Sequence, residues 1–264
     1  MIYTVTLNPT LDITYIIDRI SFDEPLKALE VVKTPGGKGI NVSRALRALK
    51  VDSIAMGLLG GFTGEEVLHL LQSEGLILQI VKIRNETRTN VIIFGREDSC
   101  EMAIYAAGPP VEDTETAKIT SLIYDIALAP EVMVLSGSLP PGVSDDIYRS
   151  IITEGKKRGT KLVLDSSKEP LREGIEAGPY LIKPNIHELE DLLGRKMKKN
   201  GDIIDGARSL MGSGVEIVVV SRGKEGALLV TGREVLRGAV PPLAEDTVGA
   251  GDSMVAGLVM GLSR

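Results

Sequence analysis

The segment Pro35-Gly36-Gly37-Lys38-Gly39-Ile40-Asn41 turns tightly and then changes period. From Ile40 to Leu49 the apolar residues Ile40, Val42, Ala45, Leu46 and Leu49 recur at helical spacing, and Ser53 to Leu59 reads as a buried strand. Upstream, Ile2 to Leu7 is short and β-branched, and Asn8-Pro9 ends it. Strand, helix and strand form a βαβ unit, which predicts an α/β domain around a mainly parallel sheet. In the turn, glycines let the backbone approach a ligand while Lys38 and Asn41 supply charge and directed hydrogen bonds. It is not a Walker A loop, because Gly39 follows Lys38 where Ser or Thr would stand. Taken alone, it reads more readily as a loop-to-helix connector than as a ligand loop.

Composition narrows the function. The 264 residues suit one domain and are 43 % hydrophobic and 25 % charged, the profile of a globular protein. A net charge of −6 without a long basic block argues against nucleic acid as a partner. A lone Cys100 and two distant histidines, His69 and His187, predict a reducing cytoplasm and no zinc-like centre. Met1 leads straight into a strand pattern and no apolar run reaches about 18 residues, so neither an export signal nor a membrane span is expected.

Further along, Gly60-Gly61-Phe62-Thr63-Gly64 starts a helix through Leu71, with Thr63 or Gly64 as its cap. The runs Val91–Gly95 and Cys100–Ala106 form a hairpin, expected to join the Ile13–Ile20 strand in a small sheet outside the βα alternation. Arg88 opens this hairpin and is either a phosphate grip or a solvated arginine. Helices are predicted over Glu115–Leu128, Asp145–Lys157 and Asp202–Met211, and strands over Val132–Leu135, Lys161–Leu164, Tyr180–Ile182, Glu216–Val220, Ala227–Val230 and Val235–Val240. Ser138 follows one strand end, where ligands collect in open parallel sheets, and Asp165 ends another. Lys183, Asn185 and Glu188 offer an ammonium, an amide and a carboxylate suited to nucleotide phosphates and hydrated Mg²⁺, although Asn185-x-x-Glu188 also fits a capping box. Gly223 and Gly226 either let a nucleoside lie on the backbone or make an ordinary hairpin turn.

The strongest chemical signal is Asp246-Thr247-Val248-Gly249-Ala250-Gly251-Asp252-Ser253, a small-residue turn running into an apolar helix. Backbone amides converging at a helix start bind anions. A carboxylate beside them, Asp252, can take a proton from an attacking hydroxyl while the amides hold a transferred phosphoryl group. The bland alternative makes Asp252 and Ser253 plain caps.

In order, Thr6-Leu7-Asn8-Pro9 with Asp12, the Gly36–Asn41 loop, Thr87-Arg88, Ser136-Gly137-Ser138-Leu139-Pro140-Pro141-Gly142, Lys183-Pro184-Asn185 with Glu188, and Asp246–Ser253 span nearly the whole chain. On these motifs the chain resembles the ribokinase-like (PfkB) carbohydrate kinases, in the sugar-phosphate branch of 1-phosphofructokinase, tagatose-6-phosphate kinase and the minor 6-phosphofructokinase. The resemblance implies a three-layer α/β/α domain over residues 1–264, with a small β-sheet lid from about 12–34 and 88–106. It implies ATP-dependent phosphorylation of a ketohexose phosphate, with fructose 1-phosphate as the first choice. Asp252 would be the base and Gly249, Ala250 and Gly251 the anion hole. Asp12, Gly37 and Asn41 would bind sugar hydroxyls; Lys27, Lys38, Arg88 and Ser138 would hold the substrate's own phosphate. Lys183, Asn185 and Glu188 would organise ATP and Mg²⁺, Ser221, Gly223 and Gly226 the nucleoside, and Asp246 with the Val248 carbonyl a monovalent cation such as K⁺. The lid implies a homodimer, supported by apolar strand faces at Ile13–Ile20 and Val91–Phe94.

Two departures stand out. Arg222 occupies a position in the nucleotide turn that is commonly aliphatic in the family, and the sequence ends at Gly261-Leu262-Ser263-Arg264, where relatives usually continue into helices that wall the adenine. A sugar-phosphate binding module without turnover is therefore the rival expectation. A dinucleotide oxidoreductase is disfavoured, since no Gly-x-Gly-x-x-Gly follows the first strand.

Overall fold

The computed structural model describes residues 1–239 and 249–263. The chain begins β1 (Ile2–Thr6), β2 (Thr10–Ile17), β3 (Glu30–Gly36), α1 (Lys38–Ala48), β4 (Ser53–Gly60), α2 (Gly61–Ser73) and β5 (Ile77–Ile83). Then come β6 (Arg88–Gly95), β7 (Cys100–Ile104), α3 (Asp113–Tyr124), β8 (Val132–Ser136), α4 (Ile147–Lys157), β9 (Lys161–Asp165), α5 (Lys168–Glu176) and β10 (Leu181–Ile182). It continues through α6 (Ile186–Leu193), α7 (Asn200–Leu210), β11 (Ile217–Ser221), β12 (Ala227–Thr231), β13 (Val235–Gly238) and α8 (Ala250–Leu262).

The large sheet has nine strands in the order β13-β12-β11-β10-β9-β8-β1-β4-β5, parallel except at β12 and β13. Its central strands β1, β8 and β9 are buried on both faces, hence their continuous apolar runs. On one face Val42 and Leu46 of α1 and Val255, Ala256 and Val259 of α8 pack against Ile2, Val134, Val163 and Val219. On the other, α3 to α7 bury Ile119, Ile151, Ile152, Leu171, Leu189 and Ala207 against Val5, Leu135, Leu164 and Val220. The helix α4 shows the cause: Ile147, Tyr148, Ile151 and Ile152 lie on one stripe and are all buried. The chain is therefore a three-layer α/β/α fold with a second, four-stranded sheet ordered β3-β2-β6-β7. Among the described residues no helix is long and apolar enough to cross a membrane.

The connectivity reverses direction at β1, which lies between β8 and β4. Such a switch point opens a crevice at the carboxyl ends of its strands. There α1 sits unusually close to β1: a Cβ on Gly39 would stand 2.5 Å from Thr6 Oγ1 and 2.9 Å from the Val5 carbonyl oxygen. The Ile40 N–H donates to Thr6 Oγ1 at 3.0 Å, and Thr4 Oγ1 meets Ser43 Oγ at 2.8 Å one turn further on.

Several expectations needed revision. The strands β3 and β5 and the helix α5 were not anticipated as elements. The hairpin β6–β7 does join β2, but β2 and β6 run parallel, pairing Thr10 with Arg88 and Asp12 with Asn90. The helix α2 starts earlier than Thr63 or Gly64, at Gly61 with Gly60 as N-cap, because Glu86 reaches across to accept from the Thr63 N–H.

Gly39→Ala is expected to lower unfolding stability by about 1–3 kcal/mol through overpacking against β1, read from the urea midpoint.

Candidate active site

The crevice collects charged groups from five segments. Helix α8 begins at Gly249, whose φ of 75° is left-handed and suits glycine. Its first intrahelical bond runs from the Ser253 N–H to the Gly249 carbonyl, so the amides of Ala250, Gly251 and Asp252 have no intrahelical acceptor. Asp252 is 7 % exposed and accepts from Asn41 Nδ2 of α1 at 2.8 Å. The N-cap, Gly249, has no side chain with which to cap, and Asp252 turns to Asn41 instead.

Two lysines flank this carboxylate. Lys183, 5 % exposed, puts its Nζ 3.5 Å from where a Cβ on Gly251 would stand, beside the start of α8. Lys38 comes from the first turn of α1 and faces Gly137, the residue before Ser138. Both ammonium groups reach Asp165 Oδ1, each at 3.4 Å. Asp165 is 1 % exposed at the end of β9, and its Oδ2 is buried with no hydrogen-bond partner. Sequence reasoning located Asp165 at a strand end and gave it no role; that position was the available signal.

Burial pushes the Asp252 carboxyl above the usual aspartate range; the Asn41 hydrogen bond pulls it down, Asp165 pushes it further up, and Lys38 and Lys183 pull it down. Burial pulls the Lys38 ammonium down, but Asp165, Glu188 and Asp252 together push it above the usual lysine value.

The substrate-side residues divide. Asp12, on β2, accepts from Asn90 Nδ2 at 2.8 Å and from Thr10 Oγ1 at 3.3 Å, and a Cβ on Gly36 would stand 2.4 Å from its Oδ2. Gly37 has φ of 127° beside Thr6 and Pro9, a conformation and space that exclude a side chain. Ser138 is exposed, its Oγ accepting from Asn8 Nδ2 at 3.3 Å. Arg88 is neither a free surface arginine nor wholly open to a ligand. Its guanidinium donates to the carbonyls of Pro9, Ala106 and Asn8, leaving two of five N–H donors for an anion. Lys27 is exposed on the link between β2 and β3, and among the described residues it makes no hydrogen bond or ion pair with the cluster.

On the nucleotide side, Asn185 and Glu188 form a reciprocal capping box at α6, both bonds 2.9 Å. The capping role is real, and Glu188 also acts electrostatically on Lys38, helping to raise its ammonium. Ser221 is tied to this segment through its N–H to the Pro184 carbonyl and a bridge to Asn185. Gly223 and Gly226 both have positive φ, and a Cβ on Gly226 would collide with the Gly238 carbonyl. Arg222 is buried, donates to Asn200 Oδ1 at 3.0 Å and pairs with Glu225. Asp246 and Val248 lie outside the described residues.

A carboxylate base at a helix start, free amides beside it and ammonium groups on either side suit transfer of an anionic group to a hydroxyl. The chain belongs to the pfkB family carbohydrate kinases, whose family model matches residues 5–264. It is 37 % identical over 263 residues to the 1-phosphofructokinase of Borreliella burgdorferi, covering 98 % of this chain and 84 % of that one. It is 35 % identical over 266 residues to the tagatose-6-phosphate kinase of Staphylococcus epidermidis, covering 99 % and 85 %. Among solved structures, phosphofructokinase-2 from Escherichia coli in complex with fructose-6-phosphate superposes with a TM-score of 0.94 at 33 % identity, covering 99 % of this chain and 86 % of that one. The protein is thus a sugar-phosphate kinase, a class that uses ATP and a divalent metal.

Because the Asp252 carboxyl is raised on folding, its ionised form weakens the folded state at any pH above its folded pKa, and the penalty disappears below its unfolded pKa. Asp252→Asn is therefore expected to melt at or above the wild-type temperature at pH 7 and to converge with it in acid, as calorimetry across pH would read.

Proposed function

We propose that this protein transfers the γ-phosphoryl group of ATP to a hydroxyl of a ketohexose phosphate, with fructose 1-phosphate giving fructose 1,6-bisphosphate as the first choice. Tagatose 6-phosphate and fructose 6-phosphate are the alternatives. The observation that carries the reading is the Asn41–Asp252 hydrogen bond, which aims a buried carboxylate beside the α8 amides with Lys38 and Lys183 on either side. The substrate choice draws on the relatives, of which the 1-phosphofructokinase has the higher identity.

In this reading Asp12, Gly37 and Asn41 orient the sugar, and Lys38, Ser138, Lys27 and the two spare donors of Arg88 hold its existing phosphate. Asp252 takes the proton from the attacking hydroxyl. A new oxygen–phosphorus bond forms as the bond to the ADP oxygen breaks, and the amides of Gly249, Ala250 and Gly251 hold the charge on the moving group. Lys183 steadies the ATP phosphates, while Ser221, Gly223 and Gly226 receive the nucleoside. Mg²⁺ keeps its waters and leans on phosphates, so Glu188 and Asn185 would hold it as outer partners, and when bound it would neutralise phosphate charge. Asp246 and the Val248 carbonyl would take a K⁺ ion.

The four-stranded sheet serves as a lid on a single domain and as a dimer surface. Ile13 is half-buried against a cluster that includes Val67 and Leu71 of α2, and Val91 to Phe94 are also half-buried. The more exposed large hydrophobics of this sheet are Tyr15, Val31, Val32 and Ile104. They are apolar strand surface of the kind a second copy covers.

Coupled ADP release should appear with at least one of the three ketohexose phosphates and fall by 10³-fold or more in Asp252→Asn, which loses the general base. No turnover above that variant on any of them would favour a non-catalytic sugar-phosphate binder. Asn41→Ala removes the hydrogen bond that lowers the Asp252 pKa, leaving burial and Asp165 against Lys38 and Lys183, so the acid limb of its kcat/KM profile should move to higher pH. Sedimentation velocity should show a dimer that Val31→Glu with Ile104→Glu dissociates; a concentration-independent wild-type monomer would exclude the dimer.

A further inference from the structure

Asp165 sets a carboxylate in the crevice read above as receiving phosphates, where Coulomb repulsion alone would make it a liability. It is 1 % exposed, and it faces the crevice from the end of β9. Its Oδ1 receives Lys38 from the acceptor side and Lys183 from the donor side, each at 3.4 Å, while its Oδ2 is buried without a partner. Its carbonyl accepts from the Gly137 N–H at 3.0 Å and from Ser136 Oγ at 3.3 Å, so the same residue fixes the turn that carries Ser138. The backbone leading to Lys183 is tied to the same strand, its N–H donating to the Leu164 carbonyl. A buried carboxylate with one oxygen shared by two lysines and the other idle is under-satisfied as a structural ion pair.

We propose that Asp165 is a positioning residue that gathers Lys38 and Lys183 onto one oxygen, so that the acceptor-side and donor-side ammonium groups are set as a pair before either phosphate arrives. The pair is long on both sides, and an incoming phosphate oxygen can win each ammonium without a large loss. Removing one lysine leaves Asp165 wholly to the other, so the two phosphate sites are coupled through it. This inference rests on the kinase reading above and specifies how its two phosphate sites communicate.

The sign of the effect separates positioning from simple repulsion. Asp165→Asn keeps the shape and one oxygen acceptor while removing the charge. If Asp165 only repelled phosphates, this variant would bind ATP and sugar phosphate more tightly. If it positions the lysines, both KM values should rise about tenfold or more, and titration calorimetry with Mg²⁺-ATP should show the same weakening of the Kd. A second variant, Lys38→Met, leaves Asp165 and Lys183 in place and removes the acceptor-side ammonium, which also acts on Asp252. It should nevertheless weaken ATP binding several-fold, because Asp165 then holds Lys183 undivided. ATP affinity that is unchanged or tighter in Asp165→Asn, or unchanged in Lys38→Met, would overturn the inference. Wild-type protein that turns over none of the three ketohexose phosphates would overturn the functional reading instead, and the nucleotide titration would still decide the role of Asp165. Should Asp165→Asn fail to fold, Lys38→Met alone tests the coupling.

Discussion

The close seat of α1 on β1 governs the geometry of this protein. With no side chain at Gly39, the helix start comes within hydrogen-bonding distance of a strand whose Thr6 hydroxyl points up at it, and the Ile40 N–H closes on that hydroxyl. Three residues of one helical turn are set by this single approach. Lys38 faces Asp165 and Asn41 meets Asp252, while Gly37 occupies the bend between the small sheet and the helix. Because α8 packs on the same layer as α1, the Asn41 bond holds two helix starts together where the sheet reverses its winding.

Electrostatically the crevice is a balanced set. Two lysines and two carboxylates are buried or half-buried within it, with Glu188 acting from the edge. Burial works against every one of these charges, so each must be held by the others or give way. At Asp252 burial outweighs the Asn41 hydrogen bond and the two lysines, and its carboxyl is raised. Two ammonium groups converge on Asp165, each 3.4 Å from its Oδ1.

Much of this was legible in the chain itself. The βαβ period was clear from Ile40 to Leu59, and the glycine turns and the small-residue start of the Asp252 helix could be read from residue types alone. The missed elements have physical reasons. In β3, Pro35 and Gly36 end an edge strand of mixed polarity, a pattern that reads as loop. In α5, Pro170 and Gly174 within nine residues argue against a helix, yet Pro170 sits in the first turn, where no intrahelical donor is required. The role of Asp165 was not legible because its partner Lys38 is 127 residues away; only the folded sheet brings strand ends together. The capping box at Asn185 shows the converse, a local motif that folded as its spacing demanded while its Glu188 also acts on Lys38.

The parallel pairing of β2 with β6 has a bearing on how the chain reaches this state. Its partners Asp12 and Asn90 are 78 residues apart, whereas β6 and β7 are joined by a tight hairpin. Loop-closure entropy weighs far less on the hairpin than on the seam to β2, whose partners are separated by β3, α1, β4, α2 and β5. The pairing with the larger closure cost is the one that carries Asp12.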